Sequence, residues 1–372
     1  MGAGGGNLMM IPNGSDGPSS AKPSWQDPGH DSSQLERIVT TRRNELKFNA
    51  VSVDQRCVPV PNSISTEAQQ RLHTAVRDDG MPLNALYPMP AADDRESWQK
   101  LKAAVDSNYA APVSALDQAQ DVKVTTKRIG SAEVHFARPA KPDRADCVYI
   151  DLHGGALVFG GGEASREGAR IAASRCGIEC YGIDYRMPPE FPYPAALDDC
   201  MCVYRHAVDT YGADRIVIGG RSAGGNLALA TVLRAKDEGL KLPSAIVLLS
   251  PEIDLTESGD SFQTNKTIDV NLPNSLMSAN LLYANGADLC HRYISPLFGQ
   301  FFKEFPPTFI QSGTRDLLLS NAVRLHRALR RVGAVTELHV FEAMPHGGFG
   351  GTPEDEELAR EVARFVNGAL SQ

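Results

Sequence analysis

The sequence predicts an α/β protein built on a mostly parallel sheet with helices on both faces, and three observations carry that prediction. Short apolar runs alternate with helix-length stretches over the C-terminal two thirds of the chain, at 148–152, 178–183, 216–218, 245–249, 308–310 and 338–341. Runs this short and this apolar suit strands buried on both faces, with the intervening lengths supplying crossover helices. The 372 residues are 42% hydrophobic and 22% charged, the mix of an ordinary globule long enough for a well-buried core. No apolar run approaches the roughly 18–20 residues of a membrane-spanning helix. The net charge of −8 argues against nucleic acid or anionic lipid as a partner, because both require a basic face.

Taken in chain order, the first 33 residues hold seven Gly, four Pro and six Ser, which predicts a solvated tail or an extended arm. No charged segment followed by an apolar one marks a signal peptide, and Gly6 stands where a myristoylation signal needs Ser or Thr. Residues 34–46, 65–79 and 94–108 read as helices. In the third, Asp94 is placed to cap the N-terminus, with Trp98, Leu101, Ala104 and Val105 at helical spacing behind it. Residues 122–126 and 132–136 alternate like strands around a turn at Gly130. The rhythm of strands and helices breaks at 254–292, a polar, Gly- and Pro-containing stretch with helix-like pieces and no strand, which reads as an insertion. Seven dispersed cysteines (Cys57, Cys147, Cys176, Cys180, Cys200, Cys202, Cys290) suit a reducing compartment. The pairs Cys176/Cys180 and Cys200/Cys202 lack matching histidines for zinc, so buried free thiols are expected.

Four short motifs follow four of the expected strands. Gly220-Arg221-Ser222-Ala223-Gly224 comes after 216–218 and opens an apolar helix through Leu227, Leu229, Val232 and Leu233. Glycines flanking a serine allow the tight strand–turn–helix that lifts a nucleophilic hydroxyl above a sheet edge. His153-Gly154-Gly155-Ala156 comes after 148–152, where a glycine loop can offer backbone N–H donors to an oxyanion. Ser312-Gly313-Thr314-Arg315-Asp316 follows 308–310, and Pro345-His346-Gly347-Gly348-Phe349 follows 338–341. Each has a structural reading of its own: a Gly-rich turn, a capping Asp, a loop His. Together they lie at strand ends, where open α/β sheets bind ligands, and the chain order Ser222, Asp316, His346 is that of the α/β-hydrolase fold.

On these motifs, together with Asp184-Tyr185-Arg186, the stretch from Pro194 to Asp199, Ser222-Ala223-Gly224-Gly225-Asn226 and Met344-Pro345-His346, the chain from about residue 140 onward resembles the hormone-sensitive-lipase-like (bacterial family IV) carboxylesterases of the α/β-hydrolase superfamily. The resemblance implies a mostly parallel eight-stranded sheet under a helical cap. An N-terminal arm and cap helices would occupy 1–115, the core 116–253 and 293–372, and a cap insertion 254–292. It implies hydrolysis of short- to medium-chain esters, with Ser222 as nucleophile, Asp316 as acid, His346 as base and the N–H groups of Gly154, Gly155 and Ala223 as oxyanion donors. It implies no metal or organic cofactor, a small-molecule ester as substrate, no nucleic-acid or membrane partner and a homodimer. With the cysteine usage, it places the protein in the cytoplasm. The polar residues between Asp184 and Asp199 resemble structural parts of the family.

Three positions depart from the family pattern. Arg221 stands where Asp or Thr is usual, and pairing with a nearby carboxylate is expected. Ala156 replaces a third glycine and should narrow the loop without removing a donor. Leu317-Leu318-Leu319-Ser320 follows the acid where another acidic residue is common, with Asp254 and Glu252 as fallback acids. Trp25, Trp98, Phe262, Leu276, Met277, Leu281, Leu282 and Tyr283 would either wall an acyl or alcohol pocket or pack the cap. A lactone hydrolase, or an amidase or deacetylase, would use the same triad. A ligand-binding receptor on this fold is disfavoured by His346 in its Pro-His-Gly setting. Activity should rise with pH as His346 loses its proton.

Overall fold

The computed structural model describes residues 57–116 and 121–371. The N-terminal arm, the helix expected over 34–46 and Trp25 lie outside these residues.

Eight strands form one sheet: β1 (Val122–Ile129), β2 (Ala132–Pro139), β3 (Arg144–Leu152), β4 (Ile178–Asp184), β5 (Ile216–Arg221), β6 (Ala245–Leu249), β7 (Thr308–Gly313) and β8 (Thr336–Phe341). Their order is β1-β2-β4-β3-β5-β6-β7-β8. β2 pairs antiparallel with both β1 and β4, and every pair from β4 to β8 is parallel. The central strands are apolar because both faces are covered: all five residues of β6 are buried, whereas the edge strand β8 is only half-buried. The parallel order brings the C-terminal ends of β3, β5, β6, β7 and β8 to one edge, so the loops that leave them converge.

The helices are α1 (Thr66–Thr74), α2 (Arg95–Leu116), α3 (Glu163–Cys176), α4 (Ala195–Tyr211), α5 (Ala223–Asp237), α6 (Ser261–Thr264), α7 (Met277–Ala284), α8 (Leu319–Val332) and α9 (Pro353–Leu370). One face of the sheet packs on α4, α5 and α8 through Leu197, Met201, Leu227, Leu233, Leu325 and Leu329. The other packs on α3 and α9 through Ala169, Ala173, Leu358, Val362 and Val366. Helix α1 ends five residues before the expected 79, and Val76 instead bridges to Pro82. Helix α2 starts as its sequence signals, with Asp94 Oδ1 accepting the Ser97 N–H at 3.1 Å, and continues past the expected 108.

A third apolar cluster lies over the C-terminal strand ends and joins distant parts of the chain. Trp98 and Val105 from α2 meet Ala156, Val158 and Phe159 after β3, Phe262, Leu272, Leu276 and Leu282 from the segment between β6 and β7, and Leu317 and Leu318 after β7. The Trp98 ring is fully buried, and its Nε1–H donates to the Ala91 carbonyl at 2.9 Å. This cluster is the underside of a helical cap. Replacing Trp98 with Ala should lower the free energy of unfolding by about 3–5 kcal/mol, the cost of emptying a buried aromatic site. Denaturant titration checks this, and a loss below about 1 kcal/mol would show that the cap does not depend on the ring.

Candidate active site

Strand β5 ends at Arg221 and α5 begins at Ala223, so Ser222 alone makes the turn, at φ 55° and ψ −119°. An L residue occupies this region only when its surroundings impose it. Here they do: a Cβ on Gly224 would lie 1.8 Å from the Leu152 carbonyl oxygen, so only glycine lets α5 come down onto the end of β3. The Ser222 N–H donates to the Leu249 carbonyl at 2.9 Å, and the Ser222 carbonyl accepts the N–H of Glu252 at 3.0 Å and of Asn226 at 3.2 Å.

His346, from the loop after β8, has Nε2 3.0 Å from Ser222 Oγ and Nδ1 3.0 Å from Asp316 Oδ1. All three side chains are buried. An ionised carboxylate only accepts, so Nδ1 carries the proton and the Nε2 lone pair faces the serine hydroxyl. Asp316 also accepts the Ser312 hydroxyl at 2.7 Å and the Leu318 N–H at 2.9 Å. Burial alone would raise its pKa, but the His346 ring and these donors outweigh burial and hold the carboxyl below its usual range. Where the family pattern has an acidic residue after the acid, Ser320 exchanges reciprocal hydrogen bonds with Ser261, at 2.8 and 2.9 Å.

Neither fallback acid reaches His346. Asp254 is held by Thr256, Ser258 and Arg324. Both carboxyl oxygens of Glu252 are buried without a hydrogen-bond partner among the described residues. Burial, aided by the charge of Glu257, pushes this carboxyl up to about 8.

The loop after β3 runs against the elbow: a Cβ on Gly154 would stand 3.4 Å from Ser222 Cβ. Gly155 has φ 122°, and its carbonyl accepts the N–H groups of Val158 and Phe159 at 2.9 and 2.8 Å, closing a tight turn. Ala156 and Leu157 follow at φ 51° and 62°, both left-handed. His153 stacks on Tyr185 with ring centroids 4.0 Å apart, and the Tyr185 hydroxyl donates to the His153 carbonyl at 2.8 Å. Burial lowers the His153 pKa, so a neutral ring supports the turn. Asp199, in the stretch assigned to structure, is fully buried and binds Arg186.

Arg221 corrects an expectation. Its guanidinium donates to the Gly347 carbonyl, beside His346, and Asp355 and Asp151 act on it as charges at longer range. Among the cap residues, Trp98, Phe262, Leu276 and Leu282 pack into the cap cluster, Tyr283 into the main core, Met277 is half-buried and Leu281 is exposed. All seven cysteines are free; Cys147, Cys176, Cys180 and Cys200 are buried, but Cys202 is half-buried and Cys57 and Cys290 are exposed. One group among the described residues has metal-ligand chemistry, Glu133, His135 and Asp184. There His135 Nδ1 bonds Thr126 Oγ1 at 2.8 Å and Nε2 lies 3.8 Å from Asp184 Oδ2, a His–Asp contact joining β2 to β4.

A family model described as the α/β-hydrolase fold matches residues 149–349. Among solved structures, esterase E25 superposes with a TM-score of 0.80 at 32% identity, over 86% of this chain and 98% of that one. An esterase from the bacterial hormone-sensitive lipase family superposes with a TM-score of 0.70 at 27% identity, over 83% of this chain and 99% of that one. The chain belongs to the bacterial hormone-sensitive-lipase-like family of α/β-hydrolase carboxylesterases. An acetyl-hydrolase from Streptomyces hygroscopicus is 31% identical over 220 residues, 59% of this chain and 73% of the relative.

In this carboxylesterase Ser222, His346 and Asp316 form a Ser-His-Asp triad. No helix among the described residues is long and apolar enough to cross a membrane. Asn265, Asp269 and Asn271 also bond to the main chain around Asp316 and His346, and in sequence they look like any polar residues of a solvated insertion.

Glu252 yields a pH-dependent prediction. Its folded pKa lies above the unfolded value of about 4.3, so the folded state keeps a proton that the unfolded chain releases. Stability therefore falls as pH rises from about 4 toward 8. Glu252→Gln should raise unfolding stability by a few kcal/mol at about pH 8 and by nearly nothing at about pH 4. Denaturant midpoints at the two pH values check this, and an equal change at both would refute it.

Proposed function

We propose that this carboxylesterase hydrolyses short- to medium-chain carboxylic esters through an acyl-enzyme on Ser222. The observation that carries the proposal is the continuous hydrogen-bonded line from Ser222 Oγ through His346 to Asp316. In the proposed cycle His346 Nε2 takes the Ser222 proton as Oγ attacks the ester carbonyl, and Asp316 stabilises the imidazolium that forms. The N–H groups of Gly154, Gly155 and Ala223 receive the oxyanion. Ala223 opens α5, where N–H groups lack helical partners and the helix dipole favours negative charge. Collapse expels the alcohol, which takes the proton from His346, and water repeats the sequence on the acyl group.

The preference for small acyl groups draws support from the filled cap cluster of Phe262, Leu272, Leu276 and Leu282 against Trp98, and from the acetyl-hydrolase relative. On this reading the described residues from 60 to 115 and the segment 254–292 form the cap, and the described residues of 116–253 and 293–372 the core. Cytoplasmic residence draws support from the free thiols. A homodimer has support in the open edge of β8, where Val335 and Val340 are exposed.

p-Nitrophenyl esters from acetate to palmitate, offered to the parent and to Ser222→Ala, test the reading. Turnover should be highest on the short chains and fall by about 10⁴–10⁶ in the variant. An organophosphonate should label Ser222. Equal turnover by the variant, an unlabelled Ser222, or a maximum on palmitate would contradict it.

A further inference from the structure

We infer that Asn265, Asp269 and Asn271, all from the segment between β6 and β7, form a clamp that sets the acid loop and the base loop in register, with Asp269 as the positioning residue of the triad. The inference rests on the triad chemistry proposed above.

Asp269 is fully buried. Its Oδ1 accepts the N–H groups of Asn271 and Leu272, both at 3.0 Å, and its Oδ2 accepts the Leu317 N–H at 2.8 Å. The two oxygens share the His346 N–H at 3.2 and 3.1 Å. One carboxylate thus holds backbone from three segments: its own turn, the residue after Asp316, and His346. The flanking amides take the complementary carbonyls. Asn265 Nδ2 donates to the carbonyl of Asp316 at 2.8 Å and of Thr314 at 3.2 Å. Asn271 Nδ2 donates to the carbonyl of His346 at 2.8 Å and of Gly348 at 3.0 Å.

The consequence is geometric. The peptide unit between Asp316 and Leu317 is gripped on both sides, its carbonyl by Asn265 and its N–H by Asp269. The two peptide units flanking the His346 Cα are held as well, one by Asp269 through N–H and one by Asn271 through carbonyl. Fixing the planes on either side of a Cα fixes its backbone dihedrals and the direction of its Cβ. The clamp therefore aims the imidazole at both Ser222 and Asp316 without touching any reacting atom. It also explains why a second carboxylate is kept beside Asp316 despite the repulsion: only an acceptor with two oxygens and no N–H can take this set of donors. Burial and the Asp316 charge raise the Asp269 pKa to about 6, and the His346 ring and backbone donors pull the other way.

Two variants test the clamp from its two loops. Asp269→Asn turns an N–H group toward the backbone N–H groups of Leu317 and His346, whereas Asn271→Ala removes only two bonds from the base loop. In both, kcat on p-nitrophenyl acetate should fall about 10–100-fold with KM changed less than about threefold, the scale of a sub-ångström misplacement. The downfield proton resonance of the His346–Asp316 hydrogen bond should shift or broaden in both folded variants.

If Asp269→Asn does not fold, Asn265→Ala and Asn271→Ala carry the test through the same kcat and resonance readouts. Folded variants that keep kcat within about twofold and leave the resonance unmoved would overturn the clamp. Should the parent fail to hydrolyse any ester, the proposed function falls, and the resonance still decides whether the clamp positions His346 against Asp316.

Discussion

The descent of α5 onto the end of β3, where Gly224 meets the Leu152 carbonyl, is the contact on which the rest of the site depends. It forces Ser222 into a backbone region that L residues avoid and fixes its hydroxyl at the rim of the sheet. The neighbouring glycine turn leaves the same strand end, so nucleophile and turn are placed by one contact. The parallel order of β3, β5, β6, β7 and β8 then does at larger scale what the glycine does locally. It delivers the acid loop from β7 and the base loop from β8 to the same rim.

Three buried carboxyl groups near that rim differ in character because their donors differ. Asp316 faces an imidazole N–H, a hydroxyl and a backbone N–H, and these overcome its burial. Asp269 accepts four backbone N–H groups, one more donor than Asp316 has, but it stands beside Asp316, so repulsion adds to burial and its pKa rises. Glu252 has no hydrogen-bond partner among the described residues and rises furthest of the three. Sequence distance says nothing of this ordering, since Glu252 and Asp254 lie two residues apart and differ in direction. Local donors decide the protonation state of a buried acid more than the acid's own identity does.

The strands were legible because burial on both faces leaves an apolar run in the sequence, and the hairpin because alternation flanks Gly130. β5 runs on through Gly219, Gly220 and Arg221, which carry no strand signal. The triad was legible because its parts follow strand ends in a telling order. What stayed hidden depends on partners remote in sequence. Arg221 bonds to a carbonyl 126 residues away, and Asp269 serves a backbone N–H 77 residues away. Neither residue type at either position announces its partner. Trp98 was legible as apolar, but its burial against Phe159 was not, because that contact arises only when α2 meets the loop after β3.

The left-handed pair Ala156–Leu157 has a consequence for the range of sequences this loop can explore. Each non-glycine residue in that conformation costs about 1–2 kcal/mol, and both side chains are buried, so each offsets part of its cost by excluding water. At position 156 a buried methyl group returns about 0.8 kcal/mol, less than that cost, so glycine is tolerated there at least as well as alanine. Valine, isoleucine and threonine face a steeper penalty, because branching at Cβ adds to the crowding. The loop is therefore open to drift in one direction and closed in the other, and a search pattern that demands three consecutive glycines would pass over a loop of this shape.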